Sequence, residues 1–209
     1  MGHKGKGRLE VIRGCMFSGK TEEMGRRLKR LSYAKQSYMA FKHCLDTRYS
    51  REQIATHDGS YKIEAVPVSG ADNIIRKVYA DQNPVDVVAI DEVMFFNDWI
   101  VDCVNFMVDA GYRVIVAGLD TDYRGKVFGS MGELLAIADE DVHLFSVCSI
   151  CGGQAVRTQL MINGEPAILD DKPLILVGGT EAIDSDKRGY GYQARCRNHH
   201  EVITKDKQH

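Results

Sequence analysis

The sequence has no long hydrophobic run and no large excess of charge of either sign. No stretch approaches the roughly 18 consecutive apolar residues of a membrane-spanning helix, and the polar start MGHKGKGRLE lacks the apolar core of a signal peptide. The 27 Lys and Arg and the 29 Asp and Glu give a formal net charge of -2, which excludes an overall basic field for nucleic acid or anionic membranes. We therefore expect a cytoplasmic protein with no membrane and no nucleic-acid partner.

Prolines are few and scattered, and the sequence contains no internal repeat or low-complexity segment. With 209 residues, of which 44% are hydrophobic, the chain can bury one core, or form a main domain with a small appendage. A domain boundary must therefore be inferred from a change in the pattern of elements.

That pattern changes once along the chain. From Leu9 to about Phe145, short β-rich runs alternate with helical stretches, which predicts an α/β domain with a mainly parallel sheet over residues 1–146. Residues 147–209 instead contain two β-like runs around the turn Asn163-Gly164, then a Gly-rich and charged stretch. This second part is too small to carry its own core. We therefore expect a small subdomain that needs a stabilising cross-link, which its cysteines can provide.

Helical spacing is clearest in two stretches that each follow a candidate strand. Met24, Leu28 and Leu31 recur at helical spacing after the strand LEVI. The second helix is predicted from a series that begins at Trp99 or Ile100, continues through Cys103, Val104, Met107 and Ala110, and stops at Gly111.

Residues 14–21 read GCMFSGKT and fit the phosphate-loop pattern G-x-x-x-x-G-K-[ST]. The strand LEVI precedes the motif and the helix TEEMGRRLKRL follows it, which is the context that the motif requires. Its backbone N–H groups can form an anion nest, Lys20 would reach the β- and γ-phosphates, and Thr21 would ligate Mg²⁺. The motif predicts a nucleoside triphosphate site built from Gly14, Met16, Phe17, Ser18, Gly19, Lys20 and Thr21.

A hydrophobic strand from Val85 to Ile90 ends in the acidic pair Asp91-Glu92. In a nucleotide-binding sheet, a carboxylate at this end of a strand faces the Mg²⁺ held by the phosphate loop, and we assign this role to Asp91. Glu92 follows on a turning backbone and can accept the proton of a bound nucleophile as general base. The alternative interpretation of Glu92 is a surface acid that caps the next helix.

Two short motifs in the C-terminal part have the spacing of metal ligands. Cys148 and Cys151 form a C-x2-C pair, and Cys196 and His199 form a C-x2-H pair, which suits tetrahedral Zn²⁺. Four protein ligands leave no open position for water, so the metal is predicted to be structural. His200 is an equally near nitrogen, and a redox role for the C-x2-C pair is the rival interpretation. The other cysteines, which show no pairing pattern, are interpreted as plain thiols: Cys15, Cys44 and Cys103.

Together, the segments GCMFSGKT, KHCLDTRYS, IDEVMFF, GLDTDYRGKVFG and the cysteine and histidine pairs resemble the zinc-containing thymidine kinase family. They occur in family order over almost the whole chain. The resemblance implies an enzyme that phosphorylates the 5′-hydroxyl of thymidine from ATP and uses Mg²⁺ and a structural Zn²⁺. It also implies a P-loop NTPase-type α/β fold with a zinc-stapled β subdomain, and a homotetramer that thymidine triphosphate inhibits.

The resemblance also assigns roles residue by residue. Glu92 would deprotonate the nucleoside 5′-hydroxyl, and Asp46 and Arg48 resemble family residues near the transferred phosphate, which makes Arg48 a candidate catalytic residue. Leu174 to Gly179 resembles the strand that leads into the family's lid. The positions that match those enclosing the base and sugar are Met16, Phe95, Leu119, Tyr123, Thr158, Leu176, Gly178 and Tyr192.

The lid predicts which nucleosides are accepted. If backbone from Leu176 to Thr180 closes over the base, its C=O groups can accept from N3–H, and its N–H groups can donate to a carbonyl oxygen. Cytosine reverses both hydrogen bonds and leaves buried backbone groups unpaired. We therefore expect thymidine to be the best substrate, deoxyuridine a weaker one, and deoxycytidine and purine nucleosides nearly inert.

The chain departs from the family pattern at three places. Met94 stands where Gln is usual, Cys15 stands where Pro is common, and DSDKRGYG lengthens the segment before Tyr192. The main rival interpretation is a zinc-containing, nucleic-acid-dependent P-loop ATPase, because phosphate loops and Cys-rich knuckles also coexist in that class. The net charge of -2 argues against it.

Overall fold

The computed structural model describes residues 7–45, 53–55, 62–81, 84–168 and 190–203 of the chain. None of the helices in these ranges is long and apolar enough to span a membrane. Up to residue 144 the elements are, in chain order, β1 (Arg8–Gly14), α1 (Lys20–Tyr33), β2 (Tyr38–His43), β3 (Gln53–Ala55), β4 (Lys62–Glu64), β5 (Val66–Val68), α2 (Ala71–Ala80), β6 (Val87–Asp91), a 3-10 turn (Val93–Phe95), α3 (Trp99–Asp109), β7 (Arg113–Gly118), α4 (Met131–Ala136) and β8 (Glu140–Leu144).

Six parallel strands form the central sheet in the order β5-β2-β6-β7-β1-β8. All five residues of β6 are buried, which confirms the hydrophobic run around it as a central strand. β7 lies between β1 and β6, so one strand separates the phosphate-loop strand from the acidic strand. Because the strands are parallel, their carboxyl ends meet at one edge of the sheet. The predicted mainly parallel α/β fold is therefore confirmed.

Helices cover both faces of the sheet. Successive residues of a strand point to opposite faces, so neighbouring residues of β1 pack against different helices. Ile12 of β1 packs on one face with the three apolar residues of α1 that show helical spacing. Val11 packs on the other face with the apolar sides of α2 and α3. Both predicted helices are confirmed, and the buried series of α3 begins at Ile100, while Trp99 is exposed.

Beneath α1, the buried carboxylate of Glu10 forms ion pairs with three guanidinium groups. Glu10 of β1 is 1% exposed and pairs with Arg27 of α1, with Arg113 of β7 at 2.6 Å and with Arg8 at 3.1 Å. Arg27 also contacts Glu140 of β8 at 2.9 Å. Burial alone would raise the pKa of Glu10, but the hydrogen-bonded guanidiniums of Arg113 and Arg27 lower this pKa below its ordinary value. The network ties α1, which begins in the phosphate loop, to three strands.

The described residues of the C-terminal part form a short ribbon and a small antiparallel sheet. Its turn Asn163-Gly164 has φ angles of 50° and 85°, both left-handed, which confirms the predicted hairpin turn. The division into residues 1–146 and 147–209 stays a prediction. The ribbon pairs β9 (Ser146–Val147) with β10 (Gln154–Ala155), and the sheet has the order β12 (Glu165–Pro166), β11 (Arg157–Ile162), β13 (Tyr190–Arg195), followed by a 3-10 turn (Arg197–His199).

Candidate active site and metal centre

The phosphate loop connects β1 to α1 with backbone conformations that few residues can adopt. A Cβ on Gly14 would lie 2.3 Å from the carbonyl oxygen of Leu144, so a larger residue cannot fit there. Gly19, directly before α1, has a φ of 82°, and Phe17 has a φ of 62°. Left-handed residues in such a loop turn successive N–H groups into one concave nest at the start of a helix. The loop therefore has the backbone of an anion site.

Lys20 is the first residue of α1 and is buried at the loop. Its Nζ donates a hydrogen bond of 2.8 Å to the carbonyl oxygen of Cys15, at the opposite side of the loop. The ammonium group is thus held where phosphate oxygens would bind. Thr21 follows as the second residue of α1, which places its hydroxyl at the same helix end.

The acidic pair lies at the carboxyl end of β6, as predicted. Asp91 is the last residue of the strand and is buried, and its Oδ1 accepts a hydrogen bond of 2.9 Å from the N–H of Glu92. Glu92 is also buried, and its φ of 49° and ψ of 44° are left-handed. This conformation costs a non-glycine residue about 1–3 kcal/mol and is found mainly where surrounding structure enforces it at functional sites.

The capping interpretation of Glu92 is wrong. Glu92 does precede the 3-10 turn Val93–Phe95, but its side chain makes no capping hydrogen bond to that turn. It is also buried, whereas the alternative required a surface acid. Glu92 thus places a buried carboxylate at the sheet edge beside Asp91, and its role as a general base stays a prediction.

The residues assigned to base and sugar fall into two neighbouring groups. Met16, Phe95 and Leu119 pack at the edge of the main core, and Phe95 meets Phe128 edge to face at 5.9 Å. Tyr123 packs with Tyr192 in a separate cluster on the small sheet.

Thr158 of β11 connects these groups, because its Oγ1 accepts a hydrogen bond of 3.0 Å from the N–H of Met16. Sequence reasoning missed Phe128, although it lies in the quoted segment GLDTDYRGKVFG. The structure therefore places five of the eight assigned positions in two clusters, and the hydrogen bond between Thr158 and Met16 joins the small sheet to the first cluster. The other two, Leu176 and Gly178, lie outside the described residues, as do Asp46, Arg48 and the lid segment.

Met94, where the family usually has Gln, is a core residue. Its side chain is buried, and its Sδ lies within 3.3 Å of the point where a Cβ on Gly118 would stand. Its carbonyl oxygen lies within 2.4 Å of the corresponding point on Gly129. Met94 thus fills the space between two glycines that flank the segment containing Leu119 and Tyr123.

Four side chains of the C-terminal part form a compact ligand set for a metal. The ligand atoms of Cys148, Cys151, Cys196 and His199 all lie within 4.8 Å of one another. Cys151 Sγ and Cys196 Sγ are 3.9 Å apart, and Cys148 Sγ is 3.8 Å from His199 Nδ1. Zn–S bonds of about 2.3 Å place tetrahedral sulfurs about 3.8 Å apart. The Cys196 Sγ to His199 Nδ1 distance is shorter, at 3.1 Å. The set therefore fits a structural Zn²⁺.

The choice between His199 and His200 is decided by their contacts. His199 Nδ1 faces two of the sulfurs, whereas His200 Nε2 lies 2.8 Å from the carbonyl oxygen of Tyr123. Burial lowers the pKa of His200 and outweighs the hydrogen bond to the Tyr123 carbonyl, which raises this pKa. A neutral ring can still donate Nε2–H to this carbonyl. His200 therefore connects the metal centre to a residue of the base pocket.

Hydrogen bonds favour the thiolate form of Cys148, the first of the four candidate metal ligands in the chain. Burial raises the pKa of the Cys148 thiol, but N–H groups of Cys196, Cys151 and Ile150 outweigh burial and lower this pKa to about 5. A thiolate is the form that binds zinc, so this hydrogen-bond pattern suits a metal ligand. The redox interpretation of the C-x2-C pair lacks the strand-and-helix context that it requires, because short strands flank the pair on both sides.

The chain is similar to known proteins over most of its length. Residues 7–200 match a family model described as thymidine kinase. Among solved structures, the chain is similar to the genome packaging NTPase B204 from Sulfolobus turreted icosahedral virus 2, at 18% identity and a TM-score of 0.45, over 71% of this chain and 78% of the other. It is also similar to the Legionella pneumophila ATPase DotB, at 11% identity and a TM-score of 0.42, over 72% of this chain and 44% of the other. The family match covers the phosphate loop, the acidic pair and all four candidate zinc ligands.

Proposed function

Since the chain belongs to the thymidine kinase family, we propose that it transfers the γ-phosphoryl group of ATP to the 5′-hydroxyl of thymidine, with deoxyuridine as a weaker substrate. The family supports thymidine phosphorylation in general. The finer proposal is carried by one observation: a phosphate loop and a buried acidic pair end strands that lie two positions apart in one parallel sheet. Two strand spacings are about 10 Å, a distance that a metal-bound triphosphate can bridge.

The phosphate loop would bind the triphosphate through its backbone N–H groups and Lys20. In this role, the Lys20 ammonium would give up its hydrogen bond to the Cys15 carbonyl and donate hydrogen bonds to phosphate oxygens instead. Thr21 and Asp91 would hold Mg²⁺, since hydroxyl and carboxylate oxygens are the hard ligands that this ion prefers. When bound, Mg²⁺ would neutralise charge on the β- and γ-phosphates.

Glu92 would act as the general base toward the nucleoside 5′-hydroxyl. It directly follows Asp91, and its left-handed backbone turns the chain at the sheet edge. In-line transfer requires the 5′-hydroxyl to lie between the general base and the γ-phosphate. A carboxylate beside the metal ligand Asp91 is suitably placed for this role. A general base typically contributes 10²- to 10⁴-fold to the rate. Arg48 would add positive charge near the transferred group.

The nucleoside would lie between the main core and the small sheet. Phe95 and Leu119 offer apolar surface on the first side, and Tyr123 and Tyr192 do so on the second. Thr158 links the second side to the phosphate loop through Met16. By the family resemblance, Leu176 and Gly178 would belong to a lid whose backbone groups would select thymine over cytosine.

A homotetramer and inhibition by thymidine triphosphate are further proposals that derive from the family resemblance. Light scattering coupled to gel filtration measures the oligomer, and a mass of about 23.4 kDa rather than four times that value would refute the tetramer. A titration of thymidine triphosphate against ATP turnover tests the inhibitor. The cytoplasmic location stays a prediction.

One experiment tests the proposed reaction. The protein is incubated with Mg-ATP and, in turn, thymidine, deoxyuridine, deoxycytidine and deoxyadenosine, and each monophosphate is quantified. We expect kcat/KM for thymidine to exceed that for deoxyuridine by about 10- to 200-fold, the usual effect of one methyl group in an apolar pocket, and that for deoxycytidine by about 10⁴-fold. Deoxycytidine that matches thymidine would refute the proposed specificity. ATP hydrolysis that depends on added DNA and not on nucleosides would instead favour the nucleic-acid-dependent ATPase.

A further inference from the structure

Cys15 of the phosphate loop is packed against the metal centre. It is buried in a cluster with Cys148, Ala155 and Ala194, and Cys196 packs against the same cluster. Two of these neighbours are candidate zinc ligands. The phosphate loop and the metal centre therefore share one small apolar core.

Polar contacts reinforce this packing. The Cys15 thiol donates a weak hydrogen bond to the carbonyl oxygen of Ala155, at an Sγ to oxygen distance of 3.5 Å. The N–H of Ser146 faces the same thiol from the paired strand. The next loop residue, Met16, donates its N–H to Thr158 Oγ1 at 3.0 Å. Two consecutive residues of the loop thus rest on β9, β10 and β11.

These strands are the ones that the metal would hold together. The loop between β9 and β10 carries Cys148 and Cys151, and Cys196 directly follows β13. Backbone hydrogen bonds also join the ribbon to β13, from Ser149 N–H to the Ala194 carbonyl at 3.0 Å. Each ribbon strand has only two residues, too few for a stable hairpin without further support. Metal bound to the four ligands would supply that support.

From this arrangement we propose that the zinc centre positions the phosphate loop, with Cys15 as the positioning residue, so that zinc and ATP bind cooperatively. Loss of zinc would release the ribbon and remove the surface against which Cys15 and Met16 rest. The loop contains Phe17 in a left-handed conformation, which persists only where neighbouring structure holds it. A released loop would therefore bind ATP more weakly. Because coupling between two sites is reciprocal, bound ATP must raise the zinc affinity by the same factor by which zinc raises the ATP affinity. This inference rests on the proposed binding of ATP.

The test measures the zinc affinity of the full-length protein, from the equilibrium partition of zinc between the zinc-loaded protein and a chromogenic chelator, with and without saturating ATP. Equilibrium dialysis measures ATP binding to the same protein. We expect ATP to raise the zinc affinity by about 5-fold or more, the lower end of typical coupling between sites, and we call this increase the protection by ATP. The Lys20→Ala variant keeps the zinc ligands but loses a phosphate contact, so it reports any direct chelation of zinc by ATP.

A matched pair of variants separates Cys15 from a general effect of losing a buried thiol. Cys15→Ala removes the contact with the ribbon and should reduce the protection by ATP to less than about 2-fold. Cys103→Ala removes another buried thiol, which contacts the Ala71 carbonyl at 3.4 Å on the far helical layer, and should keep the protection.

If ATP binds but the zinc affinity of the unmodified protein is unchanged, the coupling is refuted while the proposed function stands. If Cys15→Ala retains full protection, Cys15 is not the positioning residue. Failure of ATP to bind the zinc-loaded protein would overturn both the coupling and the proposed function. Should Cys15→Ala not fold, ATP affinity of the unmodified protein before and after zinc removal decides the question, and equal affinities would refute the proposal.

Discussion

The buried carboxylate beneath α1 offers a sharp test of how the phosphate-loop helix is held. Replacement of Glu10 by Gln preserves the side-chain shape but leaves Arg27, Arg113 and Arg8 without their shared negative charge. The Gln amide would also direct N–H groups toward guanidinium groups, which are themselves donors. We therefore expect Glu10→Gln to lower the free energy of unfolding.

The structure sets the size of this loss. Removal of one partner of a fully buried ion pair costs about 3–5 kcal/mol. Here the Glu10 side chain is 1% exposed, but Arg113 is 32% and Arg8 is 47% exposed, so water screens two of the three cations. Arg27 is deeply buried but keeps its contact with Glu140. The expected loss is therefore about 2–3 kcal/mol, below the fully buried range.

The pH dependence gives an independent reading of the same network. The pKa of Glu10 is lower in the folded protein than in the unfolded chain, so its stabilisation is present above the unfolded pKa of about 4.3 and is lost as the pH falls through the folded pKa. The difference in unfolding free energy between the unmodified protein and Glu10→Gln should be constant near pH 7. It should shrink progressively below about pH 4.

Urea unfolding followed by circular dichroism, at fixed zinc concentration, measures both effects, because bound metal itself contributes to apparent stability. Glu133→Gln on α4 is the matched control, since Glu133 is exposed and its loss should cost no more than about 0.5 kcal/mol. A loss for Glu10→Gln equal to that of the control would refute the reasoning. So would a difference that stays constant down to the lowest pH at which the protein folds.

Three further outcomes are expected from the site. Lys20→Ala should abolish turnover, as measured by thymidine monophosphate formation, because phosphoryl transfer depends on charge stabilisation at the triphosphate; retained activity would contradict the assigned phosphate site. Glu92→Gln should keep thymidine binding by calorimetry yet lose about 10²- to 10⁴-fold in kcat, and normal turnover would mean that another group is the base. Elemental analysis should find about one Zn²⁺ per chain, and Cys148→Ser should lower this content and loosen the C-terminal part; zinc-free protein purified without chelator would argue against the Cys₃His centre.

Local patterns were sufficient to predict the elements that carry the chemistry. Residues 14–21 and their flanking strand and helix predict the phosphate loop, and the end of one hydrophobic run predicts the acidic pair Asp91-Glu92. Such features depend on neighbours within a few positions, so a single sequence contains the whole signal. The ligand spacing around Cys148 and Cys196 is similarly local within each pair.

Contacts between distant segments could not be predicted in the same way. The sequence left His199 and His200 as equal candidates, because the deciding contact is made by Tyr123, which is 77 positions away from His200. The charges at Glu10, Arg27 and Arg113 form one network only because β7 lies beside β1 and α1 covers both. Strand order is a property of the assembled sheet, and no periodicity within one strand specifies its neighbour.

Cys15 shows how a local interpretation can be consistent with the sequence and still miss a role. The exchange of the common Pro for Cys leaves the pattern of the phosphate loop intact, so the sequence alone predicts no effect of the exchange and indicates a plain thiol. In the folded chain this position is not bordered by solvent but by the ribbon that carries two zinc ligands. A proline has no thiol to donate to that ribbon. The contact of the Cys15 thiol with Ala155 is therefore specific to the residue that departs from the family pattern, and any coupling that depends on it should differ in family members that carry proline there.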